Sequence, residues 1–218
     1  MLARLDRQLV SILWLSLWVA GVAVGLSMLL GVPAGVFLGL RRFWGRSLIV
    51  TLVNSGMGLP PVVVGLFVFV LIARSGPLGS FELLYTPGAM VAAQVILATP
   101  LVVGVTMAGI QGLDERLRLQ ILSLGANRRQ LYLKLVLEAR VSLLAALAAG
   151  FGAVISEVGA VMIVGGNIEG QTRVMTTAIV QETRQGNVPM AIALSLVLLV
   201  LAAVVNGAFT WLQQRRPR

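Results

Sequence analysis

Five stretches of the chain are almost entirely apolar: residues 11–40, 47–73, 89–109, 141–164 and 190–212. A helix needs about 20 mostly apolar residues to cross the hydrocarbon core of a bilayer. The pattern therefore predicts an all-α membrane protein, one domain over 1–218 with five spans. Polar intervals fall at 41–46, 74–88, 110–140 and 165–189. The first stretch is longer than a perpendicular helix requires, so it tilts, or bends near Gly31 and Pro33. It also outruns the roughly 7–15-residue core of a secretory signal, so it is expected to remain as a membrane helix.

Two spans contain helix breakers. Asn54, Ser55, Gly56 and Gly58 precede Pro60 and Pro61 in the second. Proline removes a backbone donor and clashes with the preceding turn. In transporters such interruptions line cavities, so this one is either a simple kink or a close-packed or water-lined bend. Thr99-Pro100, with Gln94 one to two turns earlier, offers the same choice in the third span.

Charge orients the pattern. The 41–46 turn, the 110–140 interval and the C-terminal tail hold 12 of the 17 basic residues. Lys and Arg collect on the cytoplasmic side of membrane proteins, so these segments and the C-terminus are expected in the cytoplasm and the N-terminus outside. Arg4 and Arg7 run against that placement; residues 2–10, with Leu2, Leu5 and Leu9 on one face, could instead lie flat at an interface.

Composition narrows the chemistry. Hydrophobic residues make up 58% and charged residues 11%, whereas soluble domains are about a quarter charged. The net charge of +9 then reads as the membrane charge bias rather than as a nucleic-acid surface. The absence of Cys and His removes thiolate metal sites, disulfides and imidazole catalysis. With no clustered carboxylates either, a membrane-embedded enzyme is disfavoured. No Gly-x-x-x-x-Gly-Lys-Ser/Thr loop is present, so the chain should bind no ATP. No metal or cofactor is expected on it.

The 110–140 interval carries its own pattern. Leu113, Leu117, Ile121 and Leu124 form one apolar stripe on a helix over 113–124. Asp114 and Glu115 suit its first turn, and Gly125 suits a left-handed C-terminus. Asn127 and Gln130 match a capping box for a second helix. The result is a helix–turn–helix with Arg116, Arg118, Arg128 and Arg129 towards water. It is either a solvated connector or a docking element for a partner.

Glu157 is the single acid deep in an expected span. An unpaired carboxylate there costs several kcal/mol, so it must face protein, a cavity or a cation, or stay protonated. It is either a hydrogen-bonded packing group or a gate residue, and a poor ligand for a dianion. Gly165, Gly166, Asn167, Gly170, Gln171, Thr172 and Arg173 make a donor-rich segment. That segment is an ordinary turn or a guide for oxyanions. Residues 174–184 read as a short outer helix with Glu182 and Arg184 exposed.

Several of these segments resemble a known family. Gly125, Leu135 and Leu137 fall at the Gly, Ile and Leu positions of the cytoplasmic coupling loop of ABC-importer permeases. Leu119-Gln120-Ile121 stands in place of its Glu-Ala-Ala, and Glu138 in place of its Pro. Leu59-Pro60-Pro61-Val62-Val63-Val64-Gly65, Ile155-Ser156-Glu157-Val158-Gly159-Ala160 and Gly165-Gly166-Asn167-Ile168 with Gly170-Gln171-Thr172-Arg173 resemble three segments of the molybdate/tungstate oxyanion group. The likeness covers about residues 10–212, and Gln181-Glu182-Thr183-Arg184 is most similar to the tungstate permeases.

The resemblance implies a type I ABC-importer permease fold in a bacterial or archaeal cytoplasmic membrane. It implies a homodimer, two ATP-binding subunits that hold Mg-ATP, and an extracytoplasmic solute-binding protein. The cargo would be tungstate, or alternatively molybdate or another oxyanion. Leu117, Ile121, Leu124, Gly125, Ala126, Asn127 and Arg128 would couple to the ATPase. Asn54, Pro60, Pro61, Glu157, Gly165, Gly166, Asn167, Thr172 and Arg173 would form the pathway and gate. A rival reading is a proton-driven carrier that uses Glu157.

Overall fold

The computed structural model describes residues 2–214, with side chains from Gln8 onward. Its α-helices are α1 Leu2–Leu40, α2 Arg46–Met57, α3 Pro61–Ile72, α4 Pro87–Gln111, α5 Glu115–Ser123, α6 Arg128–Glu138, α7 Arg140–Ile155, α8 Gly159–Gly165, α9 Met175–Arg184 and α10 Val188–Gln214. No strand occurs among the described residues. The side chains of Leu2 and Leu5, needed for the interfacial reading of residues 2–10, lie outside the described residues, as does the tail from Arg215.

α1 and α4 lie side by side and run in the same direction. Gly31 faces Val102, Gly35 faces Val103 and Thr106, and Gly39 faces Ile110. A Cβ at Gly35 would stand 2.7 Å from the Val103 carbonyl oxygen. Helix backbones come this close in a membrane only through small residues. Gly31 is therefore a contact, and α1 continues through it and Pro33 as one helix.

Because α1 and α4 are parallel, the chain must cross back between them, and only α2 and α3 are available. Each has 12 residues, or about 18 Å at 1.5 Å per residue, short of the ~30 Å hydrocarbon core. Together they make one crossing, bent by 103°. α7 runs antiparallel to α4, with Ser142 against Gly109 and Val154 against Gln94. α8 carries that crossing on to Val164, whose carbonyl accepts the Tyr85 N–H at 2.9 Å. α10 then returns, placing Leu194 near Met175 and Phe209 against Phe151 with ring centroids 6.2 Å apart. The chain thus traverses the layer five times, and α1, α4 and α10 are each long and apolar enough to cross a membrane alone.

The span over 47–73 is broken at its helix breakers into α2 and α3, and the stretch 141–164, expected as one span, is also a broken pair, α7 and α8. At Gly58–Leu59–Pro60, Pro60 is extended (ψ 122°), the conformation a residue before proline prefers. Pro61 then opens α3, where its missing N–H costs nothing. The second break, at Ser156–Val158, uses side chains as backbone substitutes. Ser156 Oγ donates to the Gly152 carbonyl at 2.8 Å, and Glu157 Oε1 accepts the Ala160 N–H at 3.0 Å. Thr176 Oγ1 donates to the Glu157 carbonyl at 2.9 Å. Backbone left free at membrane depth needs such partners.

Candidate functional site

The two breaks meet beside one face of α4. A cavity of about 120 Å³ is lined by Gly56, Met57, Leu59, Pro61, Gln94 and Glu157, among others. Gln94 lines it and is 4% exposed. Its Nε2 donates to the Val154 carbonyl at 3.3 Å, near the end of α7, while its Oε1 is buried with no partner among the described residues. The sequence offered one signal for Gln94, the lone amide within 89–109, yet it did not single the residue out as a site.

The pathway residues expected from sequence divide into two groups. Pro61 and Glu157 line the central cavity, and Pro60 caps α3 beside it. Asn54 lies exposed on α2, just before the break. Gly165, Gly166, Asn167, Thr172 and Arg173 sit instead at the end of the layer where α4 begins, with Gly165 against Met90 and Gly166 against the Tyr85 ring.

Several of that segment's N–H groups are spent within it. Ile168 N donates to Thr172 Oγ1 at 2.9 Å, and the N–H groups of Gln171, Thr172 and Arg173 all donate to the Ile168 carbonyl. Arg173 pairs with Glu169 at 3.3 Å. Asn167 Oδ1 and Arg173 Nε are both buried without a partner among the described residues. The loop is in part a self-bonded frame.

At the opposite end, the basic interval forms a helix–turn–helix. Asp114 Oδ1 accepts the Arg116 N–H at 2.8 Å, capping α5. Gly125 adopts φ 79°, and the Asn127–Gln130 capping box forms both bonds at 2.9 Å. Leu113, Leu117 and Ile121 pack onto Val36, Ile110, Leu131 and Leu135. Leu124 does not continue that stripe: α5 ends at Ser123, and Leu124 is 87% exposed. Leu119 and Leu122 are also exposed. Arg116, Arg128 and Arg129 reach solvent, while Arg118 is half-buried beside Glu115 at 3.7 Å. The turn therefore presents leucines and arginines on a rigid, doubly capped frame. That surface suits a protein groove better than water alone.

Comparison with known proteins decides what this frame belongs to. Residues 31–218 match the family described as "Binding-protein-dependent transport system inner membrane component". The chain belongs to that family. The permease is 44% identical over 214 residues to a "Probable anion ABC transporter permease protein" of Haloferax volcanii, covering 96% of this chain and 92% of that one. It is 39% identical over 214 residues to a tungstate uptake system permease protein of Peptoclostridium acidaminophilum, covering 98% and 94%. Its fold superposes on an inward-facing methionine ABC transporter with a TM-score of 0.82 at 16% identity, covering 99% of both chains.

Glu157 can be tested within this frame. Its side chain caps α8, so Glu157→Gln, which keeps an oxygen acceptor for the Ala160 N–H, is expected to retain uptake within about twofold. Glu157→Ala should destabilise the purified permease by about 1 kcal/mol, the usual worth of a lost cap. A proton carrier would behave otherwise, losing uptake in the glutamine variant at unchanged melting temperature.

Proposed function

We propose that this ABC-importer permease carries tungstate into the cell, driven by a separate ATP-binding subunit and supplied by an extracytoplasmic binding protein. The observation that carries the cargo assignment is the 39% identity, end to end, with a tungstate uptake permease. In this reading the basic end faces the cytoplasm and the α5–α6 turn receives the ATPase. The broken pairs α2–α3 and α7–α8, joined across Gln94, form the gate. Residues 165–173 frame the outer mouth.

Two copies make the pathway. The bend at Gly58–Leu59–Pro60 is exposed on a single chain, as are Leu52, Met57, Val62, Val63 and Leu66 around it. Non-helical backbone at membrane depth is tolerated only against protein or a water-filled cavity. A second permease on this face supplies the protein and encloses the gate. The chain has no cysteine, so Val63→Cys provides a unique thiol. Oxidation in membranes should yield a disulfide-linked dimer, whereas Val200→Cys on the exposed face of α10 should not. Equal cross-linking from both positions would reject this interface.

The cargo is tested in vesicles carrying permease, ATPase and binding protein. ATP-dependent tungstate accumulation that outlasts excess sulfate is the expected result. Accumulation of molybdate in preference to tungstate would keep the class and change the cargo. Accumulation without the ATPase would overturn the importer reading itself.

A further inference from the structure

Where α1 ends, three arginines from three elements converge. Arg41 follows α1, Arg118 lies on α5, and Arg128 opens α6; together they line a cavity of about 260 Å³. The cavity wall contains no carboxylate. The nearest acids, Asp114 and Glu115, belong to the adjoining space that Arg118 shares, and Glu115 reaches Arg118 at 3.7 Å. Arg41 Nε donates to Tyr132 Oη at 3.1 Å, which fixes one guanidinium and aims its other N–H groups elsewhere. Arg128 forms no ion pair among the described residues. The α6 N-terminus adds its own positive dipole end. Leu40, Leu122 and Leu131 form an apolar floor. Planar guanidiniums over such a floor match a tetrahedral oxyanion on an amphipathic body.

The face of α1 leading to the cavity indicates which oxyanion. Leu26, Leu30 and Phe37 are exposed on α1, and their spacings of four and seven residues place them on one stripe. Arg41 lies four residues beyond Phe37, and its N–H still bonds the Phe37 carbonyl at 3.0 Å. The stripe is therefore an apolar track that ends in a guanidinium. Trp44, fully exposed, stands three residues further on, as aromatic residues do at headgroup level. We infer that the Arg41–Arg118–Arg128 cavity binds the phosphate of an anionic phospholipid whose acyl chains lie along the Leu26–Leu30–Phe37 face of α1. The lipid would wedge between α1 and the α5–α6 frame and so set the posture of the coupling element. The proposal depends neither on the cargo nor on which end is cytoplasmic.

The full chain, purified with its ATPase in mild detergent, is loaded with phosphatidylglycerol or phosphatidylcholine, and retained lipid is counted by native mass spectrometry. Phosphatidylglycerol should be held selectively. Each arginine near a membrane surface is worth about fivefold in anionic-lipid affinity. Combining Arg41→Gln, Arg118→Gln and Arg128→Gln should thus lower retention about 100-fold. Arg74→Gln with Arg184→Gln, at the opposite end, should change nothing. The single variant Arg128→Gln guards against a misfolded triple, and should lose about fivefold. Displacement of the lipid by excess inorganic phosphate or tungstate would keep the oxyanion site and make a free anion its occupant. Equal retention by the triple variant and the control would overturn the proposal. So would lipid held only after the ATPase is stripped away, because the arginines would then serve the ATPase.

Discussion

Gly65→Val is expected to abolish uptake and to lower the melting temperature of the purified permease more than any other single change considered. The reason is the crossing of α3 and α8. A Cβ at Gly65 would lie 2.6 Å from the Ala160 Cα and 3.2 Å from its carbonyl oxygen. Both contacts are to backbone, so no side chain can swing away. The helices must part, and each is tied to one of the two breaks that enclose the central cavity. Overpacking of this kind costs about 1–3 kcal/mol or more, in a region where small residues supply the helix–helix contact. Gly25→Ala is the matched control. Nothing lies within 4 Å of a Cβ at Gly25, so alanine there should be neutral or gain about 0.5–1 kcal/mol of helix propensity. Intrinsic tryptophan fluorescence during heating can follow both. If the valine variant melts with the control, the α3–α8 crossing is not the contact described.

The second large effect is expected at Gly125. Its φ of 79° lies in the left-handed region, and nothing stands within 4 Å of its would-be Cβ. Substitution there tests backbone conformation without any clash. A β-branched residue pays about 1–2 kcal/mol in this region, which shifts the turn's equilibrium about 5–30-fold. Gly125→Val should insert and fold in the membrane, yet lose ATP-driven uptake, because the angle between α5 and α6 is no longer held. Gly125→Asn should recover most of the activity, since asparagine tolerates the left-handed conformation. Binding of the ATPase, measured by co-purification, should fall and recover in parallel. Normal uptake by the valine variant would remove the turn from the coupling mechanism.

The two predictions rest on glycines of different kinds. At Gly65 the neighbour forbids a side chain, and at Gly125 the backbone angle does. Only the second could be read locally. Gly125 stood between a capped helix and a capping box, and the turn formed where that grammar placed it.

Much of the protein was legible in this local way. Apolar run length gives five crossings, because water-free hydrocarbon leaves the chain no other economical state. The basic residues of 41–46 and 110–140 gather at one end, where α1 and α4 finish. Leu117 and Ile121, with Leu113 just before α5, marked at helical spacing the side that packs inward, and Pro60-Pro61 marked a break. Leu124 escaped the pattern because α5 ends at Ser123, one residue before the periodicity would have carried it round.

Tertiary structure decided the rest. Pro60-Pro61 marked the break locally, but the 103° bend between α2 and α3 and the close approach of Gly65 to Ala160 of α8 appear only in the folded chain. The break at Ser156–Val158 needed acceptors and donors from Gly152, Thr176 and Glu157 itself, and no run-length argument counts those. Gln94 became a site only when the ends of α2 and α7 were brought to its side. Several donors of residues 165–173, the N–H groups of Ile168, Gln171, Thr172 and Arg173, are used by the loop's own folding. A sequence lists which polar groups exist, and periodicity assigns the faces that solvent alone would sort. Pairing of polar groups between distant segments is a property of three-dimensional proximity, and in this permease that proximity builds the cavity beside Gln94.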